Sequence, residues 1–410
     1  MTKMKMYALV WLVACVICPC AMLAQTGNRY ADPVFEDVTT TSWVPFSSAV
    51  GEEELLPTTL YLDFYEPAGD ALAARPLVIT VFGGAFIAGS RDRCDMEAYC
   101  TRLAKHGYAA ASIDYRLLSV LSLSASSLIR AAYMASQDVS SAIRFFKAHC
   151  QEYRIDTNRI FLLGNSAGSI ASLNKVFLSE EERPSQTFTY PDLGPMNSSG
   201  YDEYAGFSSK VAGVVAHWGG VLDVGHIDMD EYVPLCMIHG TEDFVVPYDS
   251  GYCFSSMFSY LTPYMYGSRC IADHLNSLNI TDYEFHPFSG ESHNFYISMP
   301  DDLLYDKFDS CFNITRRFLY RHLGDQPVTA VSEYAVGKVS VYPNPASDHV
   351  FVSHTGAGEV TKITLFDMRG QLVEEHDSSP FSIGHLPSGI YAVHATDSHG
   401  KKSIQKLIVQ

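Results

Sequence analysis

The chain has 410 residues, of which 47% are hydrophobic, 12% aromatic and 18% charged. That is a globular composition, with chain enough for two or three domains. The formal charge is −18, and residues 25–335 alone carry −19, which argues against a nucleic-acid partner because phosphate binding needs surplus Lys and Arg.

The N-terminus, MTKMKMYALVWLVACVICPCAMLAQ, has a basic start at Lys3 and Lys5, an apolar stretch from Tyr7 to Cys18, and small residues after it. We read residues 1–24 as a signal peptide cleaved after Ala24; the apolar stretch is too short for a comfortable membrane span. A second reading takes Leu12-Val13-Ala14-Cys15 as a lipoprotein box with Cys15 lipidated. Seven cysteines lie beyond this region: Cys94, Cys100, Cys150, Cys236, Cys253, Cys270 and Cys311. An oxidising compartment would allow some to pair, with at least one left over because seven is odd.

From about Thr58 to Leu323, strand and helix patterns alternate. The expected strands are Thr59–Tyr65, Leu77–Phe82, Ala109–Asp114, Arg159–Leu163, Val211–His217, Pro234–His239 and Asp282–Pro287. The expected helices are Asp92–His106, Leu128–Cys150, Ser166–Leu178 and Asp302–His322. Short apolar strands separated by helices predict an α/β fold with a doubly wound, mostly parallel sheet covered on both faces.

The strand at Leu77–Phe82 runs into VFGGAFIAGS, residues 81–90. Gly84 and Gly89 stand five apart, as in a phosphate loop, but Ser90 and Arg91 follow where Lys and Ser or Thr belong. The glycine loop therefore needs another partner. The strand at Arg159–Leu163 supplies one, running into Gly164-Asn165-Ser166-Ala167-Gly168 and then an apolar helix. This is G-x-S-x-G in strand–turn–helix context. The serine must sit on a sharp, strained turn, and the flanking glycines remove side chains that would strike the neighbouring strand and helix.

A serine hydroxyl needs a base, and the base an orienting carboxylate. His293, in SGESHNF after the last expected strand, lies where a loop can fold back over Ser166. Asp243, in HGTEDFVVPY, lies in the loop after Pro234–His239, while the adjacent Glu242 points differently. His239 ends its strand and reads as structural. His217, in AHWGG, has two readings: a pocket-lining residue or a packed, hydrogen-bonded one. The chain order Ser166, Asp243, His293 is that of the α/β-hydrolases.

Two segments interrupt the alternation. Glu180–Tyr204, rich in Pro, Ser, Asn, Tyr and acids, reads as a surface insertion or a cap over a pocket. Tyr248–Cys270 is crowded with Tyr, Phe and Met, and reads as helix packing or as an aromatic wall for an apolar substrate group.

Residues 324–335 read as a linker. Beyond them come short alternating strands at Val339–Tyr342, Val350–Ser353, Ile363–Asp367, Gly389–Ala395 and Ser403–Val409, the pattern of a small all-β sandwich.

With these motifs in order, residues 55–323 resemble the α/β-hydrolase superfamily, and within it carboxylesterase and lipase-like enzymes with BD-FAE and hormone-sensitive-lipase-like motifs. VFGGAFIAGS is similar to the family's H-G-G-G-F loop. DYRL (114–117), GNSAG, HGTEDFVVP and GESHNF resemble its further motifs. The resemblance implies Ser166, Asp243 and His293 as a catalytic triad. It also implies an oxyanion hole from the backbone N–H groups of Gly84, Ala85 and Ala167, with Gly83 supporting the turn. Two departures stand out: Phe82 replaces the usual His before the glycines, and Ala85 replaces the third glycine. The C-terminal stretches VSVYPNPASDHV, LFDMRGQLV, LPSGIYAVHA and KKSIQKLIVQ resemble a type IX secretion (Por) sorting domain.

These readings divide the chain into a signal peptide (1–24), a hydrolase domain (25–323), a linker (324–335) and a sorting domain (336–410). They imply a secreted or cell-surface serine ester hydrolase that uses no metal or organic cofactor. Its partners would be a small-molecule, glycan or lipid ester and the type IX secretion machinery. A same-fold peptidase and a catalytically silent binding protein are the alternatives. The modest insertion at 180–204 leads us to expect short to medium acyl chains.

Overall fold

The computed structural model describes residues 28–52, 54–229, 232–254, 261–298, 302–324, 338–355, 360–367, 371–397 and 402–410. The expected signal peptide, the Cys15 alternative and residues 325–335 of the expected linker lie outside them. The chain divides after Gly324 into two compact units.

In chain order the first unit contains β1 (Val38–Ala49), β2 (Thr58–Pro67), β3 (Arg75–Val81), α1 (Cys94–Lys105), β4 (Ala109–Ile113), α2 (Ala125–Ala148), β5 (Ile155–Asn165) and α3 (Ala167–Phe177). There follow β6 (Gly213–His217), β7 (Gly220–Val221), β8 (Leu235–Gly240), β9 (Ser250–Tyr252), β10 (Tyr264–Gly267) and α4 (Ser268–Ser277). The unit closes with β11 (Tyr283–Phe288), the short β12 (Ile297–Ser298) and β13 (Asp302–Leu303), and α5 (Tyr305–Arg321). Eight strands form one sheet in the order β1-β2-β4-β3-β5-β6-β8-β11. The first two strands run antiparallel to their neighbours. From β4 to β11 the pairing is parallel.

The central strands are buried on both faces, and each feeds two cores by strict alternation. Leu77, Ile79, Val81, Ile160, Leu162, Val214, Ala216, Leu235 and Met237 pack on one side with residues of α2, α3 and α4. Val78, Phe161, Leu163, Val215, Cys236 and Ile238 pack on the other with Leu103 of α1 and with Phe308, Phe312 and Phe318 of α5. α2 starts at a capping box formed by Ser124 and Ser127. α1 carries Asp95 and Glu97 in its first turn and Arg102 and Lys105 in its last, complementing its dipole.

Three sequence expectations change. β1, VTTTSWVPFSSA, did not register as a strand because Thr and Ser dominate it and Pro45 interrupts it. It is an edge strand with register shifts on both sides of Pro45, a position where proline is tolerated. Tyr248–Cys270 is not helical over its described residues until Ser268. β9 pairs with β10, and β10 with β7, in a small antiparallel sheet. The helix there is α4, whose Ile271, Ala272 and Leu275 turn inward. No disulfide joins any two of the seven described cysteines, although an oxidising compartment would have allowed some to pair.

The second unit is all-β. β14 (Lys338–Tyr342), β15 (His349–Thr355) and β18 (Phe381–Ser382) form one sheet. β16 (Val360–Phe366), β17 (Leu372–His376), β19 (Gly389–Asp397) and β20 (Lys402–Val409) form the other. Tyr391, Val393 and Ala395 alternate inward along β19, onto Ile363, Leu365, Leu407 and Val350. Among the described residues, no helix is long and apolar enough to cross a membrane.

Candidate active site

Ser166 stands between the end of β5 and the start of α3 with φ 51° and ψ −121°, a strained conformation that presents its hydroxyl at the carboxyl edge of the sheet. Its flanking glycines are compulsory. A Cβ on Gly164 would come within 2.4 Å of the Gly168 carbonyl oxygen, and one on Gly168 within 2.0 Å of that of Val81.

The other two candidates converge from the ends of β8 and β11. His293 Nε2 lies 2.9 Å from Ser166 Oγ, and its Nδ1 lies 2.7 Å from Asp243 Oδ2. Asp243 Oδ1 accepts from the backbone N–H groups of Val245 and Val246 at 2.8 and 3.0 Å. Burial would raise the Asp243 carboxyl, but hydrogen bonds from His239 and His293 outweigh it and lower the pKa to about 2. Asp243 therefore stays ionised at neutral pH.

The glycine loop faces this relay. Gly83, Gly84, Ala85 and Ala167 line the same cavity as Ser166 and His293. Gly84 has φ +140°, and a Cβ there would come 1.9 Å from the Ala88 carbonyl oxygen. Ala85 and Phe86 follow at φ 55° and 62°, so Ala85 holds a left-handed conformation that glycine would take at less cost.

DYRL explains how the loop is fixed. Tyr115 Oη donates to the Phe82 carbonyl at 3.0 Å. Arg91, at the far end of the loop, bridges Asp114 at 2.9 Å and Asp63 at 3.1 Å and lies over the Trp43 ring. Arg116 anchors the motif to Asp138 on α2. Phe82 itself is buried under the loop and does not line the cavity.

The cavity encloses about 260 Å³ and is walled mainly by apolar side chains, among them Leu128, Ile129, Ile170, Leu222, Phe254 and Met265. Phe254, Met265, Cys253 and Pro263 come from the aromatic-rich segment, so part of Tyr248–Cys270 is a cavity wall. Among the described residues, none of Glu180–Tyr204 lines it, which corrects the cap reading. Arg130 of α2 clamps that insertion instead, donating to the carbonyls of Gln186 and Pro191 while pairing with Glu52.

Sequence reasoning missed a buried pair behind the nucleophile. Asn165 Nδ2 donates to Asp95 Oδ2 at 2.5 Å. Burial raises the pKa of Asp95, and Arg93, a cavity residue, lies 3.4 Å from its Oδ1. Both Asp95 and Arg93 sit in a loop-to-helix stretch with no motif to mark them.

His217 is not a cavity residue. It is fully buried, with Nδ1 3.2 Å from the Tyr296 hydroxyl and Nε2 3.3 Å from Thr315 Oγ1. Burial pushes its pKa down to about 3. Among the described residues, Cys236, Glu284 and His286 come close enough to share a metal ion. Glu284 is already bound to Arg321 at 2.9 Å and to His286 at 2.8 Å, and burial holds the Cys236 thiol protonated. This donor set does not suit a cation.

Residues 62–231 match the BD-FAE family model, and residues 340–410 match that of the secretion system C-terminal sorting domain. The first match spans the glycine loop and Ser166 and stops short of Asp243 and His293. No curated protein matches the chain. Among solved structures, Thermogutta terrifontis esterase 2 phosphorylated by paraoxon is 21% identical over 68% of this chain and 95% of its own, with a TM-score of 0.46. The butyrate-bound form of that esterase is 22% identical over 64% and 90%, with a TM-score of 0.47. The chain thus carries a BD-FAE domain over residues 62–231, followed by a secretion system C-terminal sorting domain over residues 340–410.

Proposed function

We propose that the protein is a secreted or cell-surface serine ester hydrolase working through an acyl-enzyme on Ser166. The observation that carries this reading is the continuous relay Ser166–His293–Asp243, at 2.9 and 2.7 Å, opening on an apolar cavity rimmed by the glycine loop.

Ser166 Oγ attacks the ester carbonyl carbon as its proton passes to His293 Nε2. Asp243 keeps the Nδ1 proton of His293 facing away from the serine and stabilises the imidazolium. The carbonyl oxygen, now an oxyanion, meets the N–H groups of Gly84, Ala85 and Ala167, with Gly83 shaping the turn. Each such donor contributes roughly 3–4 kcal/mol of transition-state stabilisation. The C–O bond to the alcohol then breaks, and His293 returns the proton to the departing oxygen. Water, deprotonated by His293, attacks the acyl-enzyme and regenerates Ser166. No metal or cofactor enters any step.

In this reading residues 1–24 are the export signal, 25–323 the catalytic domain, 324–335 a linker and 336–410 the element read by the type IX machinery. The substrate is a small-molecule, glycan or lipid ester with a short to medium acyl group. Fluorophosphonate labelling of wild type against Ser166→Ala tests the chemistry. Labelling in wild type alone is the expected result; labelling that persists in the variant, or none in either, overturns the assignment.

A further inference from the structure

We propose that His239 is a positioning residue for the Ser166 reaction, a second imidazole that locks the Asp243 carboxylate in the rotamer His293 requires. This rests on the hydrolase reading above. It assigns a task to a residue that reads from its sequence position as structural only.

A carboxylate has about four lone-pair positions. At Asp243 two are taken at Oδ1 by the Val245 and Val246 N–H groups. The other oxygen, Oδ2, receives two imidazoles: His293 Nδ1 at 2.7 Å and His239 Nε2 at 3.2 Å. With all four positions filled, no rotation of the carboxylate improves its bonding, and any rotation breaks bonds.

The proton inventory of His239 supports this task. Its Nδ1 lies 2.8 Å from Ser268 Oγ, at the first residue of α4. With the Ser268 hydroxyl donating there, the ring proton sits on Nε2, aimed at Asp243 Oδ2 and at the Val246 carbonyl, also 3.2 Å away. Both His239 and Ser268 are buried, so water does not compete for these contacts. The other titratable groups around the pair are His293, the Tyr248 ring, edge-on to His239 at 5.8 Å, and the Cys253 thiol, which burial keeps protonated.

The two distances decide the division of labour. At 2.7 Å, His293 holds the shorter bond and draws most of the stabilisation as its cation forms. At 3.2 Å, His239 restrains Oδ2 without neutralising it. Removing His239 would leave Asp243 held by three bonds instead of four, with Oδ2 anchored by His293 alone, and the cost would fall on the turnover step more than on substrate binding.

The test is a double-mutant cycle on nitrophenyl butyrate, with His239→Phe, Asp243→Ala and the double variant. His239→Phe is expected to lower kcat roughly ten- to a hundred-fold, with KM changed less than about two-fold. His239→Gln, which keeps a donor near the same place, recovers most of the loss. In the Asp243→Ala background, His239→Phe costs less than about two-fold, because its target is gone. An unchanged kcat in His239→Phe, or losses that multiply fully in the double variant, overturns the proposal while the hydrolase reading stands. If His239→Phe does not fold, Ser268→Ala carries the test: kcat falls if the tautomer lock matters, and an unchanged kcat overturns it. Wild-type protein without Ser166-dependent hydrolysis overturns both.

Discussion

Tyr115 lies beneath Phe82 with ring centroids 4.3 Å apart and planes inclined by 21°, and its hydroxyl donates to the Phe82 carbonyl at 3.0 Å. The glycine loop is therefore tied down from below, by a stack and a hydrogen bond from the neighbouring strand's end.

Removing only the hydroxyl tests this tie. Tyr115→Phe keeps the stack and orphans the carbonyl, so we expect about 1 kcal/mol of lost stability in urea unfolding. Because the glycines hang from Phe82, kcat should fall several-fold while KM stays nearly constant. Equal kcat in the two proteins would show that the loop holds its shape unaided.

On the proposed reaction, the cavity and the clamped insertion would together set the acyl range. An apolar space of about 260 Å³ favours butyrate over palmitate in a nitrophenyl ester series. The insertion is held away from the cavity by Arg130, so Arg130→Ala should cost roughly 2–4 kcal/mol of stability and leave KM for butyrate unchanged. Faster turnover on palmitate, or a changed KM in Arg130→Ala, would show that the insertion covers the acyl site after all.

His217 gives the fold a defined acid sensitivity. In the unfolded chain a histidine takes up a proton near pH 6.5, whereas burial holds His217 neutral down to about 3. Its contribution to stability is therefore complete above pH 6.5 and is lost progressively as pH falls toward 3. Each pH unit in that window removes up to about 1.4 kcal/mol. His217→Gln should flatten the fall in unfolding free energy between pH 6 and 4 by about that slope, measured by chemical denaturation. Parallel curves for the two proteins would refute it.

Much of this arrangement was legible because glycine and period-two patterns carry geometry directly. Gly164 and Gly168 flank Ser166 for reasons that any tight strand-to-helix turn imposes, and the apolar runs at Leu77–Phe82 and Arg159–Leu163 have no polar face to lose. β1 was illegible because an edge strand beside Pro45 needs neither continuous apolarity nor a full ladder. The hairpin of β9 and β10 was misread because aromatic crowding fits a helix face and a cavity wall equally well. Asp95 and His239 escaped functional notice because their partners, Asn165 and Asp243, are fixed by side-chain geometry, which spacing alone does not encode.

The contact between Ser166 and His293 joins residues 127 positions apart. Nothing local can form it: β6, β8 and finally β11 must each dock before the base meets the serine. Long-range pairings of this kind complete late in folding. Recovery of the proposed hydrolytic activity during refolding would thus be a clock for the docking of the last strand, trailing the return of helical signal rather than accompanying it.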